Sequence, residues 1–242
     1  MAVAVQNDPI DQYVQDGLVH LWDGINNTGE GHDSEATVWA DLIGDYPINK
    51  TNPGSTWLSN ALYFNPQTKS DLQAWTGTGS IKNTTMTIEM VIEPGTNEAF
   101  PTGRAACVGS FVGYGKTAHR RFGTSPGDTS VGVFCNESTK GFCTTGFEGC
   151  LGVRSIVGTY TTTSKADSIY VNGVKKTKNA THTYSDDKTR DYVILGGYDY
   201  VGTGTYPYLG KIYSVRIYNR VLTADEIAQN YAVDVARFGL SG

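Results

Sequence analysis

Charge is scarce in this sequence. Only 18% of its 242 residues are Asp, Glu, Lys or Arg, and the formal net charge is −5. No basic stretch is stronger than Arg120-Arg121 or Lys175-Lys176, so the concentrated positive face that nucleic acid requires is missing and no nucleic-acid partner is expected. No apolar run approaches the roughly 20 residues of a membrane helix, and no membrane partner is expected either. Residues 1–13 lack the positive segment and apolar segment of a secretory signal. The expectation is a sequence trimmed at its start, or export by another route such as assembly into a virus particle released by lysis. Cysteine is sparse, at positions 107, 135, 143 and 150, and lacks the paired C-x₂₋₄-C spacing of a structural zinc site. Two disulfides in any of three pairings, one disulfide within 135–150, and free thiols are all compatible with that count. The four histidines (His20, His32, His119, His182) are scattered without metal-ligand spacing. There is no Gly-x-Ser-x-Gly elbow, and Gly113-Tyr114-Gly115-Lys116 is too short for a phosphate loop.

What is present points to β structure. Gly is abundant at 29 residues, and 15 Tyr stand against 8 Phe. Gly, Thr, Asn and Tyr with few charges suit short strands joined by tight turns. The clearest strand is TMTIEMVIE, residues 85–93. Met86, Ile88, Met90 and Ile92 alternate with Thr85, Thr87, Glu89, Val91 and Glu93, so a period of two puts each set on its own face. Pro94-Gly95 closes it. Further short runs recur at GLVHLWDGI, TVWADLIG, WLSNALYF, ACVGSFVGY, SVGVFCN, VRSIVGTY, DSIYVNG, DYVILGG and LGKIYSVRIYN, with turn residues between them, as in an all-β sandwich or barrel. Asn172-Gly173 is the best hairpin signal, because both residues tolerate the positive φ of a type I′ turn. One helix is predicted over 223–237. Thr223-Ala224-Asp225-Glu226 is a capping box, Ile227, Tyr231 and Val235 form an apolar stripe, and Gly239 is a stop. Residues 1–12 read as an arm or linker, followed by one domain over 13–242.

Several of these segments together resemble a known family. YLGKIYSVRIYNRVLTADEIAQNY (208–231) resembles the closing strand and short helix of laminin G-like members of the concanavalin A-like lectin/glucanase superfamily. IVGTYTTTSKADSIYVNGVKK (156–176) is similar to their hairpin, MTIEMVIEP (86–94) to a core strand, and GLVHLWDGI with VWADLIG to the opening pair. The pieces fall in the expected order over most of residues 17–232. The resemblance implies an antiparallel β-sandwich of jelly-roll type with one short C-terminal helix. It also implies a glycan partner, on one face or at its rim. The expected role is a non-catalytic carbohydrate-binding or adhesion domain on a bacterial surface or phage particle. The alternative is a structural module contacting other virion or surface proteins. No cofactor is required on this reading.

Three constellations are candidates for chemistry. Glu89 and Glu93 share a strand face, and some glucanases of the superfamily place two carboxyls this way, about 5–5.5 Å apart for retaining hydrolysis. Val91 stands where those enzymes carry an Asp, so the expectation is two solvated glutamates and no catalysis. Asp23, Glu30, Asp33, Asp41 and Asp45 supply oxygen ligands of the kind Ca²⁺ takes, and the resemblance puts Asp23 and Asp41 nearest a structural calcium. Lys211 and Tyr213 follow Gly210, where family members often carry an acidic ligand, and that ligand is missing. Tyr198, Asp199, Tyr200, Tyr206 and Tyr208 form a Tyr-rich loop. Tyr offers a flat apolar body with a polar tip, which suits a sugar ring and its hydroxyls. Trp75 and Trp57 are second candidates for stacking, whereas Trp22 and Trp39 are expected in the core.

Overall fold

Among the described residues, short apolar runs punctuated by glycine fold into two large antiparallel sheets, a separate hairpin and one α-helix. The structure, a computed structural model, describes residues 9–68, 71, 73–77, 81, 85–95, 107–113, 119–124, 131–135, 142–145, 152–161, 168–176, 191–200 and 204–240. For residue 94, the strands between 107 and 145, and residues 191–192, 198–200 and 204–206 it describes the backbone alone. The first strands are β1 (Leu18–Asp23), β2 (Val38–Trp39), β3 (Ile48–Lys50), β4 (Thr56–Leu58), β5 (Ala61–Phe64) and β6 (Trp75–Gly77). Then come β7 (Met86–Pro94), β8 (Cys107–Gly113), β9 (His119–Thr124), β10 (Val131–Cys135), β11 (Phe142–Thr145) and β12 (Arg154–Tyr160). The last are β13 (Ser168–Val171), β14 (Val174–Lys176), β15 (Asp191–Leu195), β16 (Gly197–Tyr200), β17 (Gly204–Pro207) and β18 (Gly210–Tyr218), followed by α1 (Ala224–Phe238).

Sheet A runs β14-β13-β12-β7-β18-β5-β4, with β1 also paired to β18. β5 takes the first half of one β18 edge (Gly210–Ile212) and β1 the second half (Ser214–Tyr218). Sheet B runs β11-β10-β9-β8-β15-β6-β3-β2, and β16-β17 forms a separate hairpin. WLSNALYF is thus two strands, β4 and β5, and the sequence signals missed β3, β6, β9, β11, β16 and β17. The predicted turn at Asn172-Gly173 joins β13 to β14, with φ of 50° and 71°, as a type I′ turn requires.

The core lies between the sheets. Met86, Ile88, Met90 and Ile92 of β7 meet Ile212, Val215 and Ile217 of sheet A and Ile48, Trp75, Val193 and Leu195 of sheet B in one cluster. Each such buried aliphatic side chain contributes about 1.5–3 kcal/mol. All four Trp are buried, and each indole N–H has an internal acceptor. Trp22 donates to Tyr46 O, Trp39 to Asp23 O, Trp57 to Ala36 O and Trp75 to Ser55 Oγ. Without those acceptors the burial would strand four donors.

The other face of β7 is not open to solvent, contrary to the alternation argument. Thr87, Glu89 and Val91 are fully buried, because α1 and the segment before β1 lie over sheet A. α1 begins as predicted: Thr223 Oγ1 accepts from Glu226 N, and Glu226 Oε2 accepts from Thr223 N (2.8 Å). It ends at Gly239, in the left-handed conformation with φ 67°. Its buried stripe, however, is Ile227, Asn230, Val233, Asp234 and Phe238. Tyr231 is half-buried and Val235 exposed, so the predicted stripe is off by a rotation toward solvent. Residues 9–12 also depart from the arm expected over 1–12. Pro9–Gln12 is a 3₁₀ turn, Ile10 is buried, and Gln12 O accepts from Gln229 Nε2 of the helix. Residues 1–8 lie outside the described residues.

Sheet B has no such cover over its described outer residues. Val38, Asn49, Thr76 and Ile194 stand opposite one another across β2, β3, β6 and β15. Val38 is exposed and the other three half-exposed.

Candidate functional site

The most elaborate constellation lies beneath α1. Arg216, in the middle of β18, sends Nε to Glu89 Oε2 (2.8 Å) and both terminal nitrogens to Asp234 (2.7 Å each). Asp234 also accepts from Tyr13 Oη (2.8 Å) and Ser155 Oγ (3.1 Å). Asn230 Nδ2 donates to Glu89 Oε2 and Tyr218 Oη, and its Oδ1 accepts from Val14 N. The Arg216 guanidinium lies 4.1 Å from the centre of the Tyr13 ring. One cluster therefore joins β7, β12, β18, α1 and the chain ahead of β1. Apolar groups flank it on both sides: Val14, Leu18, Val157, Tyr170, Tyr218, Leu222 and Ile227 on one, Ala61, Val91, Tyr213, Phe238 and Leu240 on the other. A buried ion pair of this kind gives little net stability but is costly to break, because the widow is left charged and dry.

This cluster decides the state of Glu89 and Glu93. Glu89 is fully buried, and Glu93 is bound by Lys211 Nζ (2.8 Å) and Tyr213 Oη (2.6 Å). Glu89 is thus no solvated glutamate. Its burial raises its pKa against the opposing pull of Arg216. Burial would raise Glu93 as well, but the hydrogen bonds from Lys211 and Tyr213 hold it below the ordinary carboxylate range. Sequence reasoning missed Arg216, Asn230 and Asp234. The available signal was a lone Arg inside the apolar run of β18, with Asn230 and Asp234 spaced from Ile227 at helical intervals.

The calcium expectation meets occupied carboxylates. Asp23 is fully buried, its Oδ1 accepts from Ile25 N and Asn26 N, and its Oδ2 faces Arg237 Nη2 at 2.5 Å. Burial raises its pKa, with Arg237 opposing. Asp41 Oδ2 bonds His20 Nδ1 (2.6 Å), and Oδ1 accepts from Leu21, Ile43 and Gly44 N. Burial pushes Asp41 up, but these hydrogen bonds bring it below the usual range. A hard cation needs six to eight oxygens, and a guanidinium already neutralises Asp23. Among the described residues no three His, Cys, Asp or Glu side chains gather as a metal site. Asp23 and Asp41 as arranged do not fit calcium. They brace the loops after β1 and β2 instead.

The aromatic candidates separate into two groups. Tyr208 is fully buried against Phe64, with Oη donating to Lys211 O, and burial raises its pKa well above the ordinary tyrosine value. Trp75 is fully buried against Trp57, and Trp57 itself stacks edge-on to Trp39 at 4.9 Å. These rings cover the core, as aromatic side chains in strands commonly do, and none offers a face to a sugar. The side chains of Tyr198, Asp199, Tyr200 and Tyr206 lie outside the described residues. Their backbone forms the β16-β17 hairpin, with Tyr198 opposite Tyr206 and Asp199 opposite Thr205. Gly196, with φ 88°, lets the chain leave β15 there. Any Cβ on it would lie 2.1 Å from the Phe64 ring.

A family model described as the concanavalin A-like lectin/glucanases superfamily, of laminin G type, matches residues 66–228. The chain belongs to this superfamily. No curated protein matches it. Among solved structures, *Trypanosoma rangeli* sialidase in complex with 2,3-difluorosialic acid is similar, with TM-score 0.63 and 18% identity. That match covers 89% of this chain and 33% of the sialidase, so the chain spans about a third of that protein's length. Domain 4 of AbnA, a GH43 extracellular arabinanase from *Geobacillus stearothermophilus*, solved with arabinotriose, is similar with TM-score 0.57 and 11% identity. There the match covers 89% of this chain and 98% of the domain. At such identities the likeness is one of fold, and it agrees with the two-sheet sandwich closed by a short helix.

Proposed function

We propose that this domain binds carbohydrate without cleaving it, outside the cell, on a bacterial surface or a phage particle. The observation that carries the reading is the state of the two glutamates. A retaining hydrolase needs two free carboxyls across one cleft, whereas Glu89 is sealed beneath α1 by Arg216 and Asn230, and Glu93 is held by Lys211 and Tyr213. Binding falls to the uncovered side of the molecule. The β16-β17 hairpin follows directly from β15 of sheet B, whose described outer residues are open. It sets Tyr198 opposite Tyr206 with Tyr200 two residues along, and we assign Tyr198, Asp199, Tyr200 and Tyr206 to sugar contact. The arabinanase domain, matched over nearly its whole length, was solved with a bound arabinose oligomer, which supports a glycan as the ligand class.

The test is a glycan-array screen of the purified protein, with calcium and with a chelator, beside Tyr200→Ala and Tyr206→Ala. Selective binding lost in both variants, with their melting temperatures unchanged, supports the reading. Release of reducing sugar from a bound glycan would replace it with hydrolysis. A folded sample that binds nothing in either buffer would move the domain to an assembly role on the particle or cell surface.

A further inference from the structure

The clamp beneath α1 contains an unbalanced charge. Arg216 and Arg237 are its cations, and Glu89, Asp234 and Asp23 its carboxyls, all of them at least nine-tenths buried. Arg237 is committed to Asp23. Asp234 is saturated, since its two oxygens accept four hydrogen bonds from Arg216, Tyr13 and Ser155. Glu89 is the carboxyl left over. Its Oε2 accepts from Arg216 Nε and Asn230 Nδ2, while its Oε1 is buried without any hydrogen-bond partner. An ionised oxygen in that position would forgo both water and a donor, a heavier penalty for a charged group than for a neutral one. Ser214 lies diagonal to Glu89 on the same sheet face, yet it gives Oε1 no hydrogen bond, for its Oγ is likewise buried without a partner. The groups facing Glu89 are Arg216 and Tyr218 from β18, Asn230 and Asp234 from α1, Tyr13 from the chain ahead of β1, and Ser155 from β12.

We propose that Glu89 is held as the neutral acid in the folded domain, so that the clamp under α1 is a latch that binds one proton when the helix docks. With the proton on Oε1, the cluster carries equal positive and negative charge, Oε2 keeps its two donors, and no unpartnered charge is left in the dry site. The unfolded chain exposes Glu89 to water, where it ionises near 4.5. The folded state is then the proton-rich one above that pH. The latch is strongest below pH 4.5 and weakens as pH rises toward the folded-state value.

Glu89→Gln reproduces the neutral acid in shape and polarity. The folding equilibrium constant of the natural protein, divided by that of E89Q, is expected to fall about tenfold per pH unit from about pH 5 upward, one proton's worth. A ratio flat from pH 5 to 8 would overturn the latch, leaving an ionised Glu89 solvated by a buried water. The infrared carbonyl band of a protonated carboxylic acid, present at pH 6 in the natural protein and missing from E89Q, is the second expected result. The Glu89 Cδ chemical shift of carbon-13-labelled natural protein reads the same state without any variant. A carboxylate shift there at pH 6 would overturn the proposal even if E89Q failed to fold.

Discussion

The two sheets share a core and differ in what lies behind them. Sheet A has a second buried layer: α1 and residues 9–14 cover Thr87, Glu89, Val91, Ser155, Ser214 and Arg216. Sheet B keeps Val38, Asn49, Thr76 and Ile194 at least partly exposed on its outer side. Polar side chains behind sheet A must therefore find partners inside the protein, and Glu89, Ser155, Arg216, Asn230 and Asp234 join in one network in which only Glu89 Oε1 is left without a donor. Those on sheet B can bond water, and are equally free to bond a ligand. A solvent-open face beside a Tyr-bearing hairpin suits recognition, whereas a dry polar face suits helix docking.

Mutations can break this contrast. Asp234→Ala should have the largest effect, about 3–5 kcal/mol of stability, because it leaves Arg216 charged and half-partnered in a dry site. Urea denaturation at neutral pH reads it. A loss under about 1 kcal/mol would mean that water reaches the cluster and that sheet A is not sealed. Tyr200→Ala and Tyr206→Ala on the hairpin should weaken glycan binding about tenfold or more while the unfolding midpoint stays put. Thr223→Ala should cost about 1 kcal/mol through loss of the cap.

The same helix end gives a pH signature of opposite sign to the Glu89 latch. The hydrogen bonds of Arg220 draw Glu226 down to about 2, against the opposing effect of burial. Its contribution is present above its ordinary value of 4.5 and is lost as pH falls from there toward 2. Glu226→Gln should flatten that acid limb and leave the midpoint at pH 7 to 8 lowered. Thr76→Ala, on the open side of sheet B, should have the smallest effect, within about 0.5 kcal/mol. A cost near that of Asp234→Ala would show that something covers sheet B as well.

Local chemistry was legible wherever it was carried by neighbours in the chain. The inward set of β7, the type I′ turn at Asn172-Gly173, and both caps of α1 are set by side chains or φ preferences within a few residues of each other. The strands missed were those of three to six residues without a long alternating run, such as INK of β3 and WTG of β6, whose pairing is specified by their neighbours. The site was less legible. Tyr208 and Trp75 have the composition of sugar platforms, yet both lie inside, because a strand residue's face is fixed by register against partners far along the chain. Asp23 looks like a metal ligand until Arg237, 214 residues later, arrives at its carboxylate.

The sequence by itself determined an all-β fold of sandwich or barrel type and the closing helix to within a residue at each end, since period-two patterning, turn residues and capping motifs are local signals, and the superfamily followed from the resemblance of its closing strand and helix. Only the tertiary structure decided which carboxylates are chemically available. Glu89 and Glu93 share a face by period, but α1 folds back over sheet A, taking one carboxyl out of water and leaving the other at the margin. Availability depends on burial and on partners distant in sequence, and no local pattern carries either.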